Sequence, residues 1–507
     1  MNGRARVVSV ATAGFLLAGT VTTPAAAASR SAILVRASAS SPFPADCVVD
    51  DPTGVNYPNA EVEPWITADP RAEGHAVAVW QQDRWSDGGA RGLVTGVTRD
   101  GGRTWTRTAA HFTTCSGGTS ANGGDYERAS DPWITTLADG TLVQEGLSFD
   151  TLDGRQAILT SRSTNGGRSW SEPAVVATDL SIDGGLDKES VTGDPKHRNL
   201  VYATWDRIII DDVTGLVTVP TYFARSTNGG RSWETPIIVH DPGTDGSTIG
   251  AQVVVLPNGD LLDMFVVFGL TSADVTVARS HDRGTTWSAP MVVGSLGTIG
   301  VADVKTGEAV RTGDIIPDIA VDRESGRVYV AWQDARFSGF QRDGIVLARS
   351  DDDGTTWSSA TQVNAAPNVQ AFTTSVDVAD DGTVGVTYYD FRNDTTDPAT
   401  LLTDTWLATS RNGGRTWSER RLGDSFDMRT APDAGGFFVG DYTGLDHHGD
   451  TFLPFFAVAN SGDTTNRTDV FAALVGDPGD HGDRGRVERN DHPRSITERV
   501  LQRRRDR

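Results

Sequence analysis

The sequence predicts an all-β chain: a β-propeller of four-stranded blades, seven of them rather than six, closed by an N-terminal strand. Three observations carry the prediction. The octapeptide STNGGRSW stands letter for letter at 163–170 and 226–233, and relatives follow the same pattern: TRDGGRTW (98–105), SHDRGTTW (280–287), SDDDGTTW (350–357) and SRNGGRTW (410–417). The closing tryptophans, Trp105, Trp170, Trp233, Trp287, Trp357 and Trp417, lie 54 to 70 residues apart, the period of a supersecondary unit repeated around a ring. Apolar strands and polar turns surround every copy in one order, and the Ala/Leu/Glu/Lys runs of a helical protein are absent.

Each position of the octapeptide has a physical task. The Asp or Asn side chain accepts bonds from backbone amides just ahead of it, and the glycine two places on permits a positive φ, so the two close a turn between strands. The Ser/Thr hydroxyls add local bonds. The tryptophan then buries a large ring between neighbouring sheets while its N–H can still find a partner. Because Asn replaces Asp in three of the six copies, these residues hold turns and are not catalytic.

The first unit reads EPWITAD, HAVAVWQQD, GLVTGVTRD and TWTRTAAHF, four strands with the octapeptide before the last. First strands begin near Glu63, Asp131, Asp187, Gly250, Pro317, Thr373 and Gly440. Those seven starts keep the period and favour seven blades, with six as the alternative. The last unit has three strands and no octapeptide, so a strand within SAILVRASAS, near residue 31, is expected to supply its fourth. The domain layout expected is a leader at 1–28, an N-terminal segment at 29–58, the propeller at 59–476 and a disordered charged tail at 477–507.

The leader expectation rests on Arg4 and Arg6 ahead of an apolar stretch from Val7 to about Val21 and a small-residue site at Ala25 to Ala28. That is the pattern of a secretory signal peptide, so the mature protein is expected to be secreted, extracellular and without a membrane span. The alternative, a membrane anchor, fits poorly with an apolar run that short. The two cysteines, Cys47 and Cys115, form an even count in an oxidising compartment, and a disulfide between them is the economical expectation. With 67 acidic against 45 basic side chains and a net charge of −22, the chain repels polyanions, which argues against nucleic acid as a partner.

The octapeptides are the Asp-box, or BNR, repeat, and from about Asn59 to Val475 the chain resembles the sialidase superfamily of secreted propellers. The resemblance implies a glycoside hydrolase, exo-α-sialidase being the nearest named activity, acting on a glycan as a monomer without a cofactor. It also implies an arginine cluster for the substrate carboxylate, a tyrosine nucleophile assisted by a glutamate, and an aspartate acid/base. Box repeats also occur in propellers that do no chemistry, so a glycan- or protein-binding propeller is the second reading.

Residue by residue, WQQDRWSDGG places Arg84 at a substrate-contacting position and Asp87 at the acid/base position, a turn residue being the alternative for Asp87. In DYTGLDHHGDTFLPFF, Tyr442 matches the nucleophile, with a buried tyrosine bonded to a backbone carbonyl as the alternative. Glu189 is the candidate for the assisting glutamate. The family's arginine triad is not where it belongs: VEPWIT stands in place of the first arginine, Gly250 and Val266 fall where the glutamate and second arginine belong, and LLTDTWLATSRNGG lacks the third.

Other groups are expected to converge instead. Ends of second strands pair Asp83 with Arg84, Asp206 with Arg207, Asp334 with Arg336 and Asp390 with Arg392, and the loops add Arg128 and Arg311. First strands add Glu63, Asp131, Asp187, Lys188, Glu189 and Asp441. From these, Arg84, Glu63, Asp131, Arg207, Arg311, Arg336 and Arg392 are the expected substrate contacts. A carboxylate cluster of this kind needs a cation or arginines nearby. Trp65 and Trp133, in matching EPWIT and DPWIT strands, are expected to pack in the wall. His447 and His448 lack zinc-ligand spacing. The acidic turn at 351–354 could hold a structural calcium, though as an octapeptide variant it reads as a turn.

Overall fold

The computed structural model describes residues 32–475, apart from 48–53, 182–183, 212 and 270. The expected leader and charged tail lie outside the described residues. Strands dominate, as the sequence predicts, and they group into antiparallel sets of four. The first set is Glu61–Ala68, Ala76–Arg84, Ala90–Thr98 and Thr106–Ala109. The second is Arg128–Thr136, Leu142–Phe149, Gln156–Ser163 and Ala174–Asp179, joined to the first by the single residue pair Ala90–Ala129. The third, fourth, fifth and sixth sets open on Gly185–Gly193, Ser247–Val255, Asp318–Val321 and Ala371–Val378.

The last set contains Gly444–His448, Thr451–Ala459 and Thr468–Leu474, and its fourth strand is Ile33–Arg36 from the other end of the chain, with Ile33 opposite Leu474 and Arg36 opposite Phe471. Its first strand starts four residues later than the sequence predicts, because Gly440, at φ 139°, turns the backbone ahead of it. First strands neighbour one another in chain order, and Gly444–His448 packs back against Glu61–Ala68, so they stand around a common axis.

The octapeptides make the predicted turns. Asp100 Oδ1 accepts from the Thr104 N–H at 2.9 Å and the Arg103 N–H at 3.1 Å, and its other oxygen accepts from the Thr104 hydroxyl at 2.7 Å. The Thr98 hydroxyl oxygen accepts the Gly102 N–H at 3.0 Å, with Gly102 at φ 87°. The same pattern recurs at Asn165, Asn228, Asp282, Asp352 and Asn412. Asp352, in the acidic turn at 351–354, is occupied this way by Thr356 and Ser350. Hydrogen bonds to its oxygens hold its carboxyl down at about 2.

Core side chains fill the gaps between neighbouring sets. Trp332 packs with Val266, Val277 and Val293 of the set before it, while Tyr388 packs with Tyr329 and Leu347 of the fifth set. Trp80, Trp205 and Trp332, on second strands of three sets, are fully buried. A sheet apolar on both faces has to be covered on both, and radial stacking does this with short protected edges. Cys47 and Cys115 are joined as a disulfide that ties the N-terminal segment to the first set, across a separation of 68 residues.

One departure from regular strands sets up the axial end. The pairing register of the first strand slips between Val62 and Trp65, Ser130 and Trp133, Asp187 and Ser190, Ile249 and Gln252, and Phe372 and Ser375. Inside each slip one residue is left-handed: Glu63 (φ 53°), Asp131 (48°), Lys188 (51°), Gly250 (74°) and Thr373 (48°). Only the glycine adopts this freely; each of the others costs on the order of 1–3 kcal/mol, the kind of strain that concentrates at functional sites. A bulge breaks the in–out alternation of a strand and re-aims the bulged side chain.

Candidate functional site

At this end of the axis lies a cleft of about 600 Å³, within the size range of ligand sites. Three of the bulges contribute Glu63, Asp131 and Lys188, and Asp187, Asp441, Arg84, Asp87 and Arg311 complete its charged lining together with Asp314. One wall comes from a feature the sequence reading did not find: the connection between the fourth and fifth sets folds into Val301–Ala302 and Ala309–Arg311, which pairs in parallel with Phe437–Phe438. Its strands are two and three residues long, too short to leave a periodic signal. It carries Arg311 over the Phe438 ring at 4.7 Å, and Arg84 lies 5.0 Å from the same ring.

Lys188 sits among the acids. Its Nζ is 3.7 Å from Asp131 Oδ1, and both side chains are under a tenth exposed. Burial opposes ionisation of Asp131, but the Lys188 charge, a hydrogen bond from Glu63 and the Arg84 charge outweigh it and hold the carboxyl below its ordinary range. Burial likewise opposes ionisation of Asp441, and it too is overcome, here by the Arg311 hydrogen bonds and the Lys188 charge. Arg311 grips Asp441 with a fork, Nε to Oδ1 at 3.0 Å and NH2 to Oδ2 at 2.5 Å.

Glu63 goes the other way. Burial, reinforced by the charges of Asp131 and Asp441 and only partly offset by Lys188, pushes it up to about 8. Gln81 reaches it through Nε2 and also donates to Ser130 Oγ at 3.1 Å. Asp187 is raised to about 7 by burial and by Asp131. The cleft therefore holds protonated and ionised carboxyls side by side near neutral pH, the condition for acid and base roles to separate.

The expected site residues divide clearly. Glu63, Arg84, Asp87, Asp131 and Arg311 converge on the cleft. Asp87 stands at its mouth, ion-paired through Oδ1 to Arg128 at 2.8 Å, while Arg128 is buried against the Trp85 ring. Three of the expected arginines do not converge. Arg207 pairs with Asp179, Arg336 folds back on Asp334, and Arg392 bridges Asp390 and Glu419. An Asp followed two residues later by Arg makes a local ion pair at the end of a second strand, one strand out from the axis, which is where Arg336 and Arg392 are held.

Tyr442 is also a correction. It is 5% exposed, packs against Trp133 and Trp65, and its hydroxyl donates to the Pro132 carbonyl at 3.3 Å. Burial and the surrounding carboxylates push it well above the ordinary tyrosine range. A hydroxyl so placed lies outside the cleft lining and is a poor nucleophile. Glu189 is buried too, with neither side-chain oxygen bonded, and is pushed up strongly by burial and then by Asp131 and Glu145.

Trp65 and Trp133 stack at 3.6 Å between ring centroids and line a smaller cavity of about 190 Å³. Its lining includes Asp377, Asp446 and His447, which bring ligand-type atoms within 4.8 Å of one another. His447 Nδ1 meets Asp377 Oδ2 at 2.6 Å. Burial disfavours its charge, but Asp377 and Asp446 prevail and raise it to about 9, so it is an imidazolium joining the sixth and seventh sets.

Comparison with known proteins agrees with the repeats. Residues 214–436 match the BNR repeat-like domain. That stretch contains the four octapeptides that close on Trp233, Trp287, Trp357 and Trp417. No curated protein matches the sequence. Similar solved structures include the Hadza microbial sialidase Hz136, 17% identical over 79% of this chain and 73% of that one, with a TM-score of 0.45. The NanB sialidase from Streptococcus pneumoniae is 10% identical over 82% of this chain and 94% of its own, with a TM-score of 0.43. The α-L-arabinofuranosidase ARB93A from Fusarium graminearum is 10% identical over 82% and 93%, also at 0.43. Likeness at that level says nothing of what this chain acts on. Among the described residues no helix is long and apolar enough to cross a membrane.

Proposed function

We propose that this chain is a secreted seven-bladed propeller that hydrolyses glycosidic bonds at the axial cleft. The observation that carries the reading is the convergence of Glu63 and Asp131, from two strand sets, and Asp441, from the segment leading into the last set, on one cleft that also holds Lys188. Glu63 and Asp131 share a proton and supply it to the leaving oxygen as the glycosidic bond breaks; water then adds to the anomeric carbon and returns a proton to the pair. Asp441 stays ionised and faces the positive charge that develops at the anomeric carbon. Arg311 orients Asp441, and Lys188 keeps the carboxyl cluster from protonating throughout. Asp87, ion-paired at the mouth, contacts substrate rather than donating the proton. No cofactor is required by this scheme.

The test is turnover of a panel of fluorogenic glycosides by the protein, with Glu63→Gln and Asp441→Asn beside it. The expected result is turnover of at least one glycoside, lowered a hundredfold or more in both variants while their circular dichroism is unchanged. Full activity in either variant overturns the assignment. The second reading, a propeller that binds glycan without turnover, is favoured by the burial of Tyr442, which removes the family's nucleophile; no turnover of any glycoside, together with glycan binding, would establish it.

A further inference from the structure

We propose that the axial cleft takes an uncharged, polyhydroxylated sugar ring rather than a carboxylated one, because its lining is mostly acidic, the Arg311 fork is closed on Asp441, and the Lys188 ammonium and Arg84 Nε are buried. This rests on the cleft being a sugar site and goes further by fixing the class of sugar. A carboxylated sugar is held by guanidinium groups with donors to spare, forked onto its two oxygens. Here the Arg311 fork is already closed on Asp441, and its remaining nitrogen, NH1, points to the Ala434 carbonyl at 3.4 Å. Arg84 is 2% exposed and spends NH1 on Gln81 Oε1 at 2.9 Å and on the Gly89 carbonyl at 3.3 Å. Lys188, 9% exposed at its side chain, lies 3.7 Å from Asp131, and its Nζ, like Arg84 Nε, is buried without a hydrogen-bond partner, so neither is presented at the surface as a fork for a carboxylate.

The rest of the lining is acidic. Glu63, Asp87, Asp131, Asp187, Asp314 and Asp441 stand against Arg84, Lys188 and Arg311, six acids to three bases. A carboxylate entering this space would have to displace Asp441 from Arg311 and leave that buried group without its partner, which costs far more than a rim contact. A neutral ring has no such requirement. Its hydroxyls can donate to the open oxygens of the carboxylates that line the cleft, and a hydroxyl needs no cationic partner to do so. The net charge of −22 on the whole chain adds a long-range bias against anionic ligands.

The experiment is calorimetric titration of Glu63→Gln, a variant chosen so that hydrolysis does not intrude, with D-galactose, L-arabinose, D-mannose, N-acetylneuraminic acid and D-glucuronic acid, in low and high salt. At least one neutral sugar should bind, with less than a twofold change between the two salt conditions, and both acids at least tenfold more weakly. In Asp441→Asn, which releases Arg311, the acids should gain tenfold or more, in a salt-dependent way. An acid binding as tightly as the best neutral sugar overturns the inference, as does binding of none of the five. If Asp441→Asn fails to fold, the Glu63→Gln comparison decides alone. Turnover of a sialoside would sink this inference and leave the hydrolase reading standing. Binding of a neutral sugar with no turnover of any glycoside would do the reverse.

Discussion

Lys188 holds its ammonium 4.2 Å from the centre of the Tyr442 ring. The tyrosine thus meets the charged cluster through its π face, while its hydroxyl points away to the Pro132 carbonyl. Removing the hydroxyl removes one neutral hydrogen bond, worth about 1 kcal/mol. Tyr442→Phe is therefore expected to melt slightly lower and to keep kcat within about twofold, since the ring stays. A nucleophile at this position would instead lose all turnover, so a single kinetic comparison of the two proteins separates the cases.

Lys188 itself is expected to be costly to replace. Lys188→Met leaves Glu63, Asp131, Asp187 and Asp441 without the cation that lies among them, and breaking a buried pair from one side costs about 3–5 kcal/mol. Without that charge the acids should take up protons more readily, so the loss in chemical-denaturation stability should shrink as the pH is lowered from 8 to 5. A deficit that does not vary with pH would mean that Lys188 acts through packing alone.

The activity profile should fall on the alkaline side. Glu63 is needed protonated, and burial raises it to about 8, so kcat/KM should decline as pH rises through that value. Asp131 and Asp441, held below the ordinary carboxylate range, place the acidic limb lower than an unperturbed carboxyl would. In Glu63→Gln the alkaline limb should vanish from whatever activity remains on substrates with good leaving groups. Persistence of that limb would assign it to another group.

Stability should follow a similar sign for a different reason. Burial raises Asp206 and Asp318 to about 7 and Asp390 to about 6. A group raised on folding stabilises fully below its unfolded value and loses that contribution as pH climbs through its folded value. His447 adds the same trend higher up, through about 9, after burial has been outweighed by Asp377 and Asp446. Thermal midpoints should therefore be higher near pH 5 than near pH 8.5. Asp282 and Asp352, held down at about 2 by hydrogen bonds, work oppositely and lose their contribution only as pH falls toward that value. A midpoint that rises from pH 5 to 8.5 would contradict the burial of these carboxyls.

Opening the disulfide should loosen the N-terminal segment. The bond between Cys47 and Cys115 closes a separation of 68 residues, for which loop entropy gives about 4 kcal/mol. Cys47→Ser with Cys115→Ser should lower stability by up to about that amount. Ile33–Arg36, which completes the last strand set, should then show the largest gain in amide exchange. Uniform exchange across all sets would argue against this local anchoring.

The fold was legible because its determinants are local. The turn at Asp100 is closed by Thr98, Gly102, Arg103 and Thr104, all within the octapeptide, so each copy announces its turn in eight letters. Strand alternation does the same over similar lengths, and even the closing strand was visible as a missing fourth member. The site was legible only in part. Glu63, Asp131 and Arg84 could be placed at the axis because equivalent strand positions converge there, but the same logic put Arg336 and Arg392 there, and each instead found an Asp two residues away.

Sequence by itself determined the strand order, the turns and the set of charged residues available near the axis, since those follow from contacts a few residues apart. Tertiary structure decided which of them form the site. Left-handed bulges at Glu63, Asp131 and Lys188 re-aim side chains from strands more than fifty residues apart, and a hairpin between the fourth and fifth sets brings Arg311 to Asp441 across 130 positions. Their pairing, and with it the protonation of each carboxyl, is set by distances between sets and by burial, quantities that no short stretch of sequence encodes.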